Sequence, residues 1–274
     1  MLIPFYSSMS STTKKQNTLI NRGSTESAPL SRTIFVLARA LDLPLQYAIL
    51  SSRSLTAPLI HALGGTAILP TGRPLFLMGT NTGLSPQRAI LFGMALGSFV
   101  KQSHWVTAIS QEPMPLRASL FVGVFNSLAN SINTILFTNT ANSVLAYPTV
   151  NGDETVLSVP TIFGLGFYAL GMVLEWGSEI QRLRFKKNPR NKGRVYTKGL
   201  FGLARHINYG GYVLWRTGFA MAAAGWTWGL VTGAFYTYNF LTDGIPELDG
   251  YCKKRYRKFV WDVANQCKFL HSAD

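Results

Sequence analysis

Arg205, His206, Asn208 and Tyr209 place a cation, an imidazole, an amide and a phenol within five positions, and Gly210 and Gly211 follow directly. Groups of these kinds can bind an anion, pass a proton and hydrogen-bond a sugar, while paired glycines admit a ligand or a neighbouring backbone at short range. Singly, a His or Tyr beside an apolar run is commonly an interface anchor. Here they close a segment, Gln181 to Tyr212, that also carries Arg182, Arg184, Lys186, Lys187, Arg190, Lys192, Arg194 and Lys198, with no acidic residue between Glu179 and Asp243. Clustered cations beside apolar stretches hold a loop on the cytoplasmic side of a membrane, and they bind phosphate through charge-assisted hydrogen bonds. Both uses can coexist.

The elements that must position this segment are read from hydropathy. Of 274 residues 47% are hydrophobic and 14% charged, against about 25% charged in ordinary soluble domains. Lys and Arg outnumber Asp and Glu by 26 to 12, but the cations sit in loops between apolar runs. That pattern favours membrane orientation over nucleic-acid binding. Residues 1–32 read as a polar, disordered tail with no cleavable signal peptide. Residues 33–50, interrupted by Arg39, Asp42 and Pro44, read as interfacial, re-entrant or a poor first span, and the helical part of 55–77 is expected to end before Pro70.

Clearer spans follow at 89–109 and 118–137. The first carries Lys101, Gln102 and His104, for which snorkelling to the interface is favoured over a cavity. The second carries Asn126, Asn130 and Asn133 on one helical face, either as interhelical glue, the favoured reading, or as a pocket wall. Residues 138–158 hold Asp153 and Glu154 but no Lys or Arg, as suits a non-cytoplasmic loop. A span from Val159 to Trp176 continues beyond the membrane, with Glu175, Glu179, Arg182 and Lys186 on one face as a solvated ladder or a pocket wall. The apolar stretch 208–243 is too long for one span of about 20 residues, so a tight helical hairpin turning near Gly225 is expected. The fold expected is all-α, a polytopic transmembrane helix bundle of about six spans with N-terminal helices over 33–158. Residues 159–274 then form a C-terminal domain whose cofactor pocket faces the cytosol. The basic loop and the basic tail at Lys253, Lys254, Arg255, Arg257 and Lys258 share that side.

Several chemistries lack their motifs. The four histidines are scattered, HExxH and the His clusters of membrane di-iron enzymes are missing, and Cys252 and Cys267 fit no metal spacing, so no metal site is expected. Neither GxSxG nor GxxxxGK[ST] occurs, and the alternation of strand and helix required by a dinucleotide-binding sheet is lacking.

Gly199-Leu-Phe-Gly-Leu-Ala-Arg-His-Ile-Asn-Tyr-Gly-Gly resembles the G-x-x-x-x-x-R-H-P-N-Y-x-G signature of membrane sterol reductases, the steroid 5-alpha-reductase C-terminal domain and isoprenylcysteine carboxyl methyltransferases. Gln181-Arg182-x-x-Phe185-Lys186 resembles the reductases' Q-K-x-x-F-R, and Cys252-Lys253-Lys254-Arg255-Tyr256 before Trp261 resembles their C-x-x-K-Y. The likeness runs from about Gly164 onward. Ile207 replaces the usual Pro, and the acidic pair before the Cys is reduced to Asp249, with Glu247 two residues earlier. The shorter first half most resembles small fungal members of the same superfamily.

The resemblance implies an enzyme of the endoplasmic reticulum membrane with a lipid-like substrate entering laterally. NADPH would use Arg182, Lys186, Arg194 and Arg205 on its phosphates and Asn208 and Tyr209 on ribose or nicotinamide, with His206, Asp249 and Tyr256 completing the cofactor site. S-adenosylmethionine, cationic at sulfur, would ask for carboxylates. The wholly basic segment favours an NADPH-dependent reductase acting on a C=C bond of a sterol, steroid or similar lipid, with a methyltransferase as the alternative and a non-catalytic sterol-binding protein as the third reading. The candidate proton donors are Tyr209, Tyr212, Tyr236 and Tyr238, with Tyr168 on the preceding span.

Overall fold

The computed structural model describes residues 28–68, 74–149 and 157–256. It is mostly helical. The long elements are α1 (Pro29–Ser51), α3 (Pro86–His104), α4 (Leu116–Phe137), α5 (Val159–Lys187) and α6 (Ile207–Asn239), and the shorter α2 (Arg53–Ala62) and α7 (Ile245–Tyr256) complete the helices. A minimal hairpin pairs β1 (Phe76–Leu77) with β2 (Thr80–Asn81). The π-helical turns Trp105–Ile109 and Phe240–Gly244 extend α3 and α6. Proline opens α1, α3 and α5, where its missing N–H belongs to the unpaired first turn and nothing is lost. Residues 1–27 and 257–274, including Arg257 and Lys258, lie outside the described residues, as do Asp153 and Glu154.

Helix α1 corrects two expectations. It begins at Pro29, inside the stretch assigned to a polar tail, and it runs unbroken to Ser51 with Pro44 inside it. Arg39 and Asp42 do not interrupt it, because they neutralise each other one turn apart, Nη1 to Oδ2 at 2.8 Å, with both side chains fully enclosed. Among the described residues α1, α4 and α5 are long and apolar enough to cross a membrane.

The polarity of α4 agrees. Val124 is 55% and Leu128 58% exposed, whereas Asn126 and Asn130, on the opposite face, are 1% and 0% exposed. A helix with its apolar side out and its amides in is suited to lipid rather than water, because buried amides need partners and the outer face meets hydrocarbon. The partners are present. Gln102 donates to Asn126 at 2.8 Å, Asn130 donates to Asp42 at 2.7 Å, and the Trp228 indole donates to Asn133 at 2.7 Å. The stripe therefore joins α4 to α1, α3 and α6. Asn133→Leu, which removes one such bond, is expected to lower the unfolding free energy by about 0.6–2 kcal/mol. Thermal unfolding in detergent measures it, and an unchanged midpoint would contradict the tie between α4 and α6.

The hairpin in α6 is present. Ala224 (φ −137°, ψ 23°) and Gly225 (φ 77°, ψ −167°) leave helical geometry. Only glycine tolerates that φ at little cost, and a Cβ there would also strike the Tyr147 ring. The halves return on each other: a Cβ at Gly229 would meet Met221, one at Gly233 would meet Thr217, Tyr236 packs edge-on against Tyr212, and Phe240 stacks on Tyr209. Partner numbers fall as the chain rises, which is antiparallel packing. The first half of α6 also lies against α5 with glycine facing glycine, Gly164 at Gly218 and Gly171 at Gly211, seven residues apart on each helix. The backbones touch there, and side chains above the seam are held at fixed spacing.

Candidate functional site

That seam lines up the inward carboxylates of α5 with the start of α6. Glu175 accepts a hydrogen bond from the Trp215 indole at 2.6 Å and pairs with Lys101. Glu179, one turn on, accepts from Asn208 Nδ2 at 2.9 Å and pairs with Arg182. Lys101 does not snorkel, as favoured from sequence: it is 3% exposed, held by Glu175 with its ammonium 5.5 Å from the Trp215 ring centroid. A carboxylate 74 residues away made burial tolerable. Glu175 and Glu179 are likewise not a solvated ladder, since both turn across to neighbouring helices.

The remaining motif residues gather where α7 folds back. Arg205 pairs with Asp249, whose other oxygen lies 3.3 Å from His206 Nε2, and Arg205 Nε approaches that same nitrogen at 3.1 Å. His206 Nδ1 is enclosed and, among the described residues, has no hydrogen-bond partner. Burial lowers the His206 pKa; the Asp249 carboxylate raises it in part and the Arg205 guanidinium lowers it further, so the imidazole stays neutral to a lower pH than usual. The imidazole stacks on Tyr209 at 5.6 Å, and Tyr209 stacks on Phe240 at 4.5 Å.

Of the residues singled out from sequence, Arg182, Arg205, His206, Asn208, Tyr209 and Asp249 are brought together at this end of α5 and α6. Lys186 and Arg194 are exposed, and the side chain of Tyr256 lies outside the described residues. Tyr212 and Tyr236 meet at 5.4 Å deeper between the halves of α6. Tyr238 is 70% exposed on the outer face. Tyr168 donates to the Met94 carbonyl at 2.7 Å and packs against Trp215. Glu175, Glu179, Lys101, Trp215 and Arg216 were not identified as site residues by motif reasoning. Arg216 was nonetheless signalled as the one charge between Arg205 and Asp243, because a charge inside an apolar run must serve something.

Residues 122–262 match the family described as "Protein of unknown function (DUF1295)". The chain belongs to this family. It is also 36% identical over 244 residues to the probable O-methyltransferase ustE of Ustilaginoidea virens, covering 88% of this chain and 84% of that protein. No solved structure matches it. The DUF1295 match takes in α5, α6 and α7, the three elements that carry the carboxylates and the motif.

Proposed function

We propose that this DUF1295 protein is an S-adenosylmethionine-dependent O-methyltransferase embedded in a membrane and acting on a lipophilic acceptor. One observation carries the reading: at the motif end, where α5, α6 and α7 meet, the inward cations are already paired, Arg182 by Glu179 and Arg205 by Asp249. A nicotinamide dinucleotide phosphate brings a pyrophosphate and a further phosphate and needs cations in excess. A zwitterionic amino acid with a sulfonium suits a balanced site. The similarity to a protein named as a probable O-methyltransferase points the same way.

The donor set fits such a cofactor. The Arg205 and Asp249 pair offers opposite charges to an α-carboxylate and an α-amino group, Asn208 with Glu179 offers a donor and an acceptor to ribose hydroxyls, and the faces of Tyr209 and Phe240 offer stacking to adenine. S-adenosylmethionine, when bound, supplies an electrophilic methyl group. As the acceptor oxygen forms its bond to carbon and the carbon–sulfur bond breaks, the acceptor's proton must leave. In this reading His206, kept neutral by burial, takes it at Nε2, the nitrogen that accepts from Arg205 Nε and lies beside Asp249. The products are the methylated acceptor and S-adenosylhomocysteine. In this reading α1, α3, α4, α5 and the two halves of α6 make the six spans. The basic loop and C-terminus then lie in the cytosol, and the endoplasmic reticulum is the expected membrane.

The test is equilibrium binding of S-adenosylmethionine and NADPH to the full chain in one detergent, with wild type and Asp249→Asn. Saturable S-adenosylmethionine binding, weakened about tenfold or more by Asp249→Asn, is expected, since a charge-assisted contact is lost. Saturable NADPH binding without S-adenosylmethionine binding would overturn the assignment in favour of the reductase, and binding of neither would favour the sterol-binding reading.

A further inference from the structure

Arg216 lies 2% exposed in the first half of α6. It donates from Nε to the Tyr212 hydroxyl at 3.2 Å, from Nη1 to Asn130 Oδ1 at a long 3.5 Å, and from Nη2 to Asn126 Oδ1. Every one of these acceptors is neutral. Among the described residues no carboxylate pairs with it, in contrast to Arg39, Lys101, Arg182 and Arg205. A guanidinium has five N–H donors in a planar fork, so three are used and two remain. Three rings surround it, with centroids 4.3 Å (Trp215), 5.3 Å (Tyr212) and 5.5 Å (Tyr236) away. Rings and amides soften the cost of burying a cation, and the Glu175 carboxylate acts on it from beyond contact while itself held by Lys101 and Trp215. A buried cation at membrane depth without a carboxylate in direct contact is costly to keep, and it points to a ligand site.

A path of rings leads from it to the proposed methyl-transfer end. Tyr236 and Tyr212 flank Arg216, Tyr212 meets Phe240 at 5.4 Å, Phe240 stacks on Tyr209, and Tyr209 stacks on His206. Tyr209, Tyr212 and Phe240 are each partly exposed, so each keeps surface for another molecule. From residue 206 to residue 216 the helix rises about 15 Å, shortened by the reach of the Arg and His side chains. One oxygen of an acceptor cannot occupy both ends.

We infer that Arg216 anchors an oxyanion at the deep end of the acceptor, the carboxylate or ionised phenol of a flat, apolar molecule whose other end presents the hydroxyl to be methylated. This rests on the methyl-transfer reading for the chemistry, but the anion anchor stands on its own geometry. The acceptor class is therefore bifunctional: an aromatic body lying along Tyr212, Phe240 and Tyr209, an acidic oxygen paired to Arg216, and a nucleophilic oxygen near His206. The anchor discriminates by charge, because capping the acidic oxygen leaves the guanidinium unpaired.

The test uses 6-hydroxy-2-naphthoate and its methyl ester as probes. Both present a hydroxyl, and only the first presents an anion. Calorimetric titration of the full chain in detergent, with S-adenosylhomocysteine present so that no methyl group can be transferred, should show the acid binding about ten- to a hundredfold more tightly than the ester, as expected for a charge-assisted contact. Arg216→Gln should erase that ratio with S-adenosylmethionine affinity retained, and Arg216→Lys should restore part of it. A sodium-salt phenol, 6-bromo-2-naphtholate at alkaline pH, compared with its methyl ether, tells a phenolate preference from a carboxylate one. Equal affinities in wild type, or a ratio that survives Arg216→Gln, would overturn the anchor, and the wild-type comparison decides even if the variant does not fold. Turnover should yield 6-methoxy-2-naphthoate; methylation at the carboxylate would also overturn it. Discrimination without any turnover would keep the anchor and remove the methyl-transfer reading.

Discussion

Asp42→Asn is expected to destabilise the helix bundle by about 3–5 kcal/mol, because removing one partner of a buried ion pair leaves the other charge uncompensated. Asp42 accepts from Arg39 Nη1 at 2.8 Å, Gln46 Nε2 at 2.8 Å and Asn130 Nδ2 at 2.7 Å, tying α1 to itself and to α4. An asparagine preserves the shape but turns one accepting atom into a donor facing donors. Arg39 would be left with neutral partners alone, Gln102 at 2.8 Å, Ser98 at 3.2 Å and at best the one remaining amide oxygen. The double variant Arg39→Met/Asp42→Leu removes both charges, so it should lose clearly less than the single one. Reversible unfolding in mixed micelles measures both. A loss under about 0.5 kcal/mol for Asp42→Asn, the range of surface substitutions, would mean that water reaches the pair.

Gly218→Val is expected to prevent recovery of a monodisperse protein. A Cβ at Gly218 would lie against the Gly164 carbonyl and the Tyr168 amide, and one at Gly211 would lie against the Glu175 amide and the Gly171 carbonyl at 2.8 Å. Overpacking a well-filled interior costs about 1–3 kcal/mol and sometimes more. Here the colliding atoms are backbone on both sides, so no side chain can turn away and α5 must separate from α6. Separation would also pull Asn208 from Glu179 and Trp215 from Glu175, so any Gly211→Val protein that survives should have lost the S-adenosylmethionine binding proposed above. Gly210→Ala is the control, since nothing lies within 4 Å of its added methyl and alanine favours the helix by up to about 1 kcal/mol. Size-exclusion profiles of the three variants in one detergent measure the difference. A monodisperse Gly218→Val protein of wild-type stability would refute the seam.

Much of the fold was legible in the chain because its signals are local. The helices at 86–104, 116–137 and 159–187 follow runs of apolar residues, and Ala222-Ala223-Ala224-Gly225 marked a turn that only a positive φ can make. The inward stripe of Asn126, Asn130 and Asn133 follows from the period of a helix. Helix α1 was misread for an equally local reason: Arg39 and Asp42 interrupt hydropathy when counted singly, and their mutual neutralisation appears only when they are seen to share a buried face.

The grouping of Arg205, His206, Asn208 and Tyr209 was also set by sequence, since residues so close along the chain stay together in any helix start. What they meet was decided by tertiary structure. Arg205 finds Asp249 across 44 positions, Lys101 finds Glu175 across 74, and Arg216 finds Asn126 across 90. Read along the chain, the segment is wholly basic and asks for phosphates; folded, its inward cations Arg182 and Arg205 are paired, and among the described residues no carboxylate pairs with Arg216 beyond it. Coulomb energy depends on the distance between charges and on the medium between them, and a linear sequence contains neither. Composition therefore determined that this protein is of a membrane type, while the packing of α5 on α6 determined which of its cations meet carboxylates.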